Sequence, residues 1–358
     1  MYITNISLRN FKNYEDFFLE FNPRGAIIIG QNGIGKTNLL EAISYFSYGK
    51  SVLNIPDECL IRYHQEICTV KASYHFNGRN WDFKAYFDKS SKKHISIENK
   101  SLKKMSELYH YLQIVYSGPN DLYNLFSTPA KRRLFIDSSI SKLYPDYLIH
   151  LTKYKYIHFQ RNAMLKNNYQ PKEKEAWDKV FCEENNNIVQ YRINFFKILR
   201  LYYQAAYQKI TVEEERVDIH LKPNFYCEDF SIPPLVTRLR ENEEKEKKNQ
   251  CSLFGCHLDD FYLTINNNIA SLFASQGQKR SMVIALKLAL AQIISEISQN
   301  DPILIFDDTL AELDQQRNKN LLTYLTTKHQ IFIASPSFAK YSSIELPVID
   351  LHRFHEKN

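Results

Sequence analysis

The segment Gly30-Gln31-Asn32-Gly33-Ile34-Gly35-Lys36-Thr37 fits G-x-x-x-x-G-K-[ST] and gathers three of the chain's nine glycines. A pattern of this kind suits phosphate binding. Glycines let backbone N–H groups curl round an anion, and a following helix N-terminus adds partial positive charge. Gly30 through Thr37, with Asn38, are therefore the expected nucleotide-binding residues. Lys36 would reach the β- and γ-phosphates and assist the chemistry, and Thr37 would hold Mg²⁺. The flanks agree. Ala26-Ile27-Ile28-Ile29 reads as a buried strand, and Leu39, Leu40, Ile43 and Phe46 recur at helical spacing.

Two further segments carry chemistry. Ile303-Leu304-Ile305-Phe306-Asp307-Asp308 reads as a buried strand with two carboxylates at its C-terminal edge, where open α/β sheets bind ligands. Asp307 would hold Mg²⁺ through water, and Asp308 would orient or deprotonate the attacking water. Ser275-Gln276-Gly277-Gln278-Lys279-Arg280 opens a long amphipathic helix. Ser275, Gly277 and Gln278 make a second anion site. The phosphate loop already surrounds one side of a nucleotide. A second site makes sense if it meets the γ-phosphate bound to another subunit, which predicts that Ser275 acts in trans across a homodimer.

These segments need elements to position them. Residues 1–30 and 67–99 read as strands, with Asn77-Gly78 as a hairpin turn. From about 120 to 215 the apolar spacing becomes helical, and the charged stretch 239–250 reads as a solvated loop or frayed helix. Residues 258–358 return to α/β. The expected organisation is an ATPase head made of residues 1–115 and 251–358, with a compact, mostly α-helical lobe at 116–250. Heptads do not persist in the insert, so a coiled coil is not expected.

Composition sets limits. At 358 residues, 44% hydrophobic and 24% charged, the chain can bury a large core. A net charge of +6 is compatible with a polyanionic partner. Six cysteines without a C-x-x-C pair predict free thiols rather than zinc. The start Met1-Tyr2-Ile3-Thr4 lacks a signal-peptide pattern, and the most hydrophobic helix carries Lys287. A cytoplasmic protein with no membrane span is expected.

The order of phosphate loop, S-x-G-Q, apolar-Asp-Asp and Ala311-Glu312-Leu313-Asp314 resembles an ABC-type ATPase head. The chain is more similar still to one family, the bacterial recombination mediator RecF. That resemblance rests on Leu8-Arg9-Asn10-Phe11-Lys12-Asn13-Tyr14, on the segment from Gly35 to Ile43, on the segment from Thr128 to Asp137, on Gln160-Arg161-Asn162-Ala163-Met164-Leu165, and on the segment from Ser275 to Arg280. It implies an α/β ABC-type head with a mixed sheet, a slow DNA-stimulated ATPase, and ATP and Mg²⁺ as cofactors. It implies an ATP-dependent head-to-head dimer on double-stranded DNA or single-strand/double-strand junctions, acting with RecR and RecO to load RecA. It also implies that Asp314 belongs to the nucleotide site, that Arg9 stacks on adenine, and that Gln113 senses Mg²⁺ and the γ-phosphate. Many ABC-type heads place a histidine near Ser335. The chain departs from the family at Ser117-Gly118-Pro119-Asn120-Asp121-Leu122, which has one residue extra, and at Gly255-Cys256-His257-Leu258-Asp259-Asp260, which lacks an arginine.

Cations crowd the segment from Lys131 to Lys166, with tyrosines interleaved. Arg132, Arg133 and Arg161 are candidate DNA contacts, which would be salt-sensitive and indifferent to sequence. The alternative is an internal ion-pair network of Arg132, Arg133 and Asp137 joining insert to head. Two other functions compete. A defence-type DNA-linked ATPase would be expected to carry a nuclease domain, for which this length leaves no room. A non-catalytic nucleotide-dependent binding module would be expected to have lost one acid of the Asp307-Asp308 pair.

Overall fold

The computed structural model describes residues 1–355 except 91, 168, 212, 213, 311, 312, 314, 326–328, 339, 340 and 342–344. The chain opens with β1 (Tyr2–Phe11), β2 (Tyr14–Glu20), β3 (Gly25–Ile29) and helix α1 (Lys36–Tyr48). Strands β4 (Ile67–Phe76), β5 (Arg79–Asp88), β6 (Lys93–Ile97), β7 (Lys100–Ser101) and β8 (Ile114–Ser117) follow. Helices α2 (Asn120–Phe126), α3 (Pro129–Leu143), α4 (Pro145–Leu165) and α5 (Pro171–Ile210) precede β9 (Val217–Lys222). After α6 (Pro233–Glu241) and α7 (Glu243–Asn249) come β10 (Asp260–Ile265), β11 (Asn268–Ile269) and α8 (Ala270–Phe273). The chain ends with α9 (Gln276–Ser298), β12 (Ile303–Asp307), α10 (Gln315–Leu325), β13 (Ile331–Ser335), β14 (Val348–Asp350) and α11 (His352–His355).

Two compact units result. The first comprises Met1–Leu122, Ala205–Glu215 and Ser275–Asn358, and the second Tyr123–Gln204 and Arg216–Ala274. The inserted unit thus runs to 274, beyond the expected end at 250, and a short stretch of the chain inside it returns to the head. The cause is strand pairing: β10 pairs with β9 from Asp260↔Lys222 to Ile265↔Val217, which ties residues 251–274 to the insert.

The head is α/β, with its strands shared between two sheets. One is six-stranded and antiparallel, in the order β2-β1-β4-β5-β6-β7. Its β4 alternates buried and less buried positions, as a sheet with one face on the core should. Asn77 (φ 51°) and Gly78 (φ 75°) make the β4–β5 turn, both in the left-handed region that a two-residue hairpin requires. The other sheet is five-stranded and wholly parallel, in the order β14-β3-β13-β12-β8. Its inner strands β3, β13 and β12 are near-continuous apolar runs, such as Ile303-Leu304-Ile305-Phe306, because both faces are covered. Helix α9 is buried almost all round from Ser281 to Ile294. It is long and apolar enough to cross a bilayer, but its most hydrophobic window is 72% buried, which marks a core helix. Its Lys287 is neutralised by Asp121 at 2.9 Å.

The inserted unit is mostly helical, with a small sheet β11-β10-β9. Its core contains two buried arginines, Arg161 and Arg192. The charged stretch 239–250 is α7 and the end of α6 rather than a loop, and Glu246 within it is fully buried. An isolated carboxylate could not be buried this way. Glu246 is matched by Arg161.

Candidate functional site

All five strands of the parallel sheet point the same way, so their C-terminal ends share one edge. That edge collects the phosphate loop after β3, Asp307 and Asp308 at β12, Ser335 at β13 and Ser117 at β8. The loop curls because its glycines adopt backbone angles that other residues rarely take: φ is 86° at Gly33 and 114° at Gly35. At Gly35 space is also short, since a Cβ would stand 2.4 Å from Asn13 Nδ2. Lys36 is buried, with Nζ donating to the carbonyls of Gly30 (2.8 Å) and Gln31 (3.2 Å). Gly35 caps α1 with its backbone alone, and no acidic residue occupies the first turn to compete for an anion.

Asp307 is fully buried. Thr37 Oγ1 donates to its Oδ1 at 3.0 Å, and the Tyr116 hydroxyl donates to its Oδ2 at 2.7 Å. Burial pushes this carboxyl above its usual range, while the Tyr116 and Thr37 hydroxyls and the Lys36 ammonium oppose that shift. Thr37 and Asp307 are hard oxygen donors held together beside a lysine, a set that suits Mg²⁺ with phosphate. Asp308, next in the chain, has φ 54°, a left-handed conformation that aspartate tolerates better than most residues, and its N–H donates to Ala334 O at 3.3 Å.

Ser275 is exposed at the N-cap of α9. Its Oγ accepts from Gln278 N–H at 3.2 Å, and Gln278 Oε1 accepts from Ser275 N–H at 2.7 Å, a reciprocal capping box. Gln278 Nε2 also donates to Glu215 at 2.6 Å, so this side chain braces the helix start. Gly277 lies in the first turn, where a Cβ would meet only Arg317 Nη1, at 3.8 Å. Arg9 is exposed on β1 opposite Asp16. Asp314 lies outside the described residues.

Several expectations are corrected. Gln113 precedes β8, and its carbonyl accepts from Ile303 N–H at the start of β12, so it sits at the sheet edge opposite the phosphate loop. It is buried, with Nε2 donating to Tyr109 O at 2.6 Å, and cannot sense Mg²⁺ from there. Arg161 is no DNA contact. It is 0% exposed and donates to Asp178 (2.8 Å), Glu246 (2.5 Å) and Ser252 (2.7 Å). Arg132 forks onto Asp260 with two 2.7 Å bonds, and Arg133 donates to Asp259 O at 2.9 Å. These two follow the internal-network alternative, but the partners lie within the insert. Asp137 joins Arg192 instead, at 2.7 Å.

Four residues at or near this edge escaped the sequence reading. Asn13 Nδ2 donates to Ile34 O (2.9 Å) and its Oδ1 accepts from Asn38 (2.7 Å), while the Tyr14 hydroxyl reaches Gly35 O at 3.1 Å. The opening motif that carried the family resemblance contains both, so a signal existed. Tyr116 and His352 had none. His352 Nε2 accepts from Gln31 N–H at 3.3 Å, which only the pairing of β14 with β3 brings about.

Similarities to known proteins follow this geometry. The RecF/RecN/SMC N terminal domain family matches residues 2–345. The DNA replication and repair protein RecF of Lactobacillus johnsonii is 32% identical over 349 residues, covering 94% of this chain and 92% of that protein. RecF of Clostridium botulinum is 33% identical over 324 residues, covering 90% and 89%. The solved structure of the recombination mediator protein RecF with ATP, in the RecFOR pathway, aligns with a TM-score of 0.87 at 26% identity, over 96% of this chain and 93% of that one. An Smc head bound to a ScpA domain shares the fold alone, with a TM-score of 0.55 at 15% identity over 94% and 90%. Loop, carboxylate pair, helix cap and similarity agree, and this chain belongs to the RecF family, the RecF-type ABC ATPases of DNA replication and repair.

Proposed function

We propose that this protein binds ATP with Mg²⁺, dimerises head to head on it, and holds double-stranded DNA or single-strand/double-strand junctions until slow, DNA-stimulated hydrolysis releases them. The observation that carries this reading is the convergence of Lys36, Thr37, Asp307 and Asp308 on one edge of the parallel sheet, with Ser275 exposed at a separate helix start. Lys36 and the loop N–H groups bind the phosphates. Thr37 and Asp307 hold the metal, which neutralises charge on the β- and γ-phosphates when bound. Asp308 takes the proton of the attacking water. Arg9 faces the adenine, and Asp314 completes the nucleotide site. Ser275, Gly277 and Gln278 of one subunit meet the γ-phosphate held by the other, so neither subunit has a complete site alone. RecR, RecO and RecA are the proposed partners and the cytoplasm the proposed location, in keeping with the RecFOR context of the RecF–ATP structure.

Light scattering with and without Mg-ATP, repeated with duplex DNA, tests this reading. The expected result is a monomer that becomes a dimer with ATP and a DNA complex only as the dimer. A mass unchanged by ATP would overturn the composite site.

A further inference from the structure

Asp307 accepts two hydroxyl hydrogen bonds, and only Thr37 belongs to the phosphate-loop motif. The other donor, Tyr116, comes from the neighbouring strand β8 and is itself buried. An aspartate carboxylate turns easily about its last side-chain torsion. One donor would leave that rotation open. Donors on both oxygens, at 3.0 and 2.7 Å, fix the carboxylate plane.

Gly118 makes room for this tyrosine. A Cβ there would stand 2.5 Å from Tyr116 Cε1 and 3.1 Å from its hydroxyl oxygen. Gly118 lies in the Ser117–Leu122 stretch, where the chain departs from the family, and what the position requires is space. The backbone behind the ring is braced as well. Gly118 N–H donates to Asp121 Oδ2 at 2.8 Å, and Asp121 Oδ1 accepts from Lys287 of α9 at 2.9 Å.

We propose that Tyr116 is a positioning residue for the metal site: its hydroxyl holds the Asp307 carboxylate in the orientation that serves Mg²⁺-bound water, and Gly118 permits it to do so. The inference rests on the reading of this edge as an Mg-ATP site. Groups outside the direct ligands fix the orientation of what the metal meets, and their loss typically lowers metal affinity about tenfold or more.

The test measures binding of a fluorescent, non-hydrolysable ATP analogue to the full chain in EDTA and across an Mg²⁺ titration. Tyr116→Phe should leave binding in EDTA unchanged and raise the Mg²⁺ midpoint about tenfold. Gly118→Ala should raise the same midpoint by displacing the ring. The double variant should be no worse than Tyr116→Phe. An unchanged midpoint in Tyr116→Phe overturns the proposal. So does an equal loss of binding in EDTA and Mg²⁺, or failure of Tyr116→Phe to fold, because the hydroxyl would then serve structure alone. If the wild-type chain itself binds the analogue without any response to Mg²⁺, the reading of the site fails, and the two failures are told apart.

Discussion

Lys36, Asp308 and Arg161 are charged groups in three different settings, and their removal should have three different effects. Lys36→Ala deletes the ammonium proposed as a phosphate donor, a contact worth about 1.5–3 kcal/mol, so ATP affinity should fall about ten- to a hundredfold in a direct binding titration. Asp308→Asn keeps a residue that tolerates φ 54° and removes only the carboxylate proposed as the base. ATP should bind normally and persist, with turnover down about 10²–10⁴-fold in single-turnover measurements. Normal hydrolysis by this variant would reassign the base. Arg161→Ala strands the buried carboxylates of Glu246 and Asp178, leaving Lys174 as a partner of Asp178 at 2.5 Å. Breaking a buried pair costs about 3–5 kcal/mol, visible as a lower denaturant midpoint. The sequence could not place Arg161, because a basic residue on a helix reads the same whether its face meets solvent or a buried glutamate.

At the scale of elements, helix α9 joins an exposed cap to a buried body. Ser275 caps the helix and is exposed, whereas the stretch from Ser281 to Ile294 is core. Ser275→Arg should therefore keep the fold and ATP binding but abolish ATP-driven dimerisation, since a bulky cation would stand where the proposed phosphate contact lies. A normal dimer by light scattering would remove Ser275 from the interface. A second prediction concerns α4 and the 256–258 turn. Tyr154 of α4 bonds His257 at 2.7 Å, and the His158 ring lies 4.0 Å from that of His257. Burial, with His158 adding to it, pushes the His257 imidazole down to about 3. The folded state thus refuses a proton that the unfolded chain accepts near 6.5. Stability is whole above that pH and falls as pH drops toward 3. Urea midpoints at pH 7 and pH 5 should drop further in the wild type than in His257→Gln. An equal drop would exclude this histidine as the cause.

For the whole molecule, charge rather than sequence should govern DNA binding. With Arg132, Arg133 and Arg161 committed to internal partners, the exposed cations of the same segment include Lys153, Lys155 and Lys166. Lys153 stands 3.8 Å from Glu184, so Lys155 and Lys166 are the better phosphate contacts. If the ATP-bound dimer uses them, Lys155→Ala and Lys166→Ala should each lower the slope of log K against log salt by about 0.9 on duplex DNA. Arg132→Ala should leave the slope unchanged and reduce stability instead. Unchanged slopes in both lysine variants would move the DNA surface elsewhere.

What the sequence settled by itself is whatever depends on neighbours in the chain. The glycine loop, the apolar run ending in Asp307 and Asp308, the Asn77-Gly78 turn and the Ser275 cap are local patterns, in which backbone sterics and short-range hydrogen bonding fix the outcome. Strand pairing across long separations decided the rest. It set Gln113 at the far edge of the sheet, drew residues 251–274 into the insert through the β9–β10 ladder, and brought Tyr116 and His352 to the phosphate-loop edge. Helix packing in the insert buried Arg161 of α4 against Glu246 of α7, a partner supplied by the segment that reads as solvated. Which of two equally polar residues meets water and which meets the other is set by burial. Burial belongs to the packed chain and has no signature in any one stretch of it.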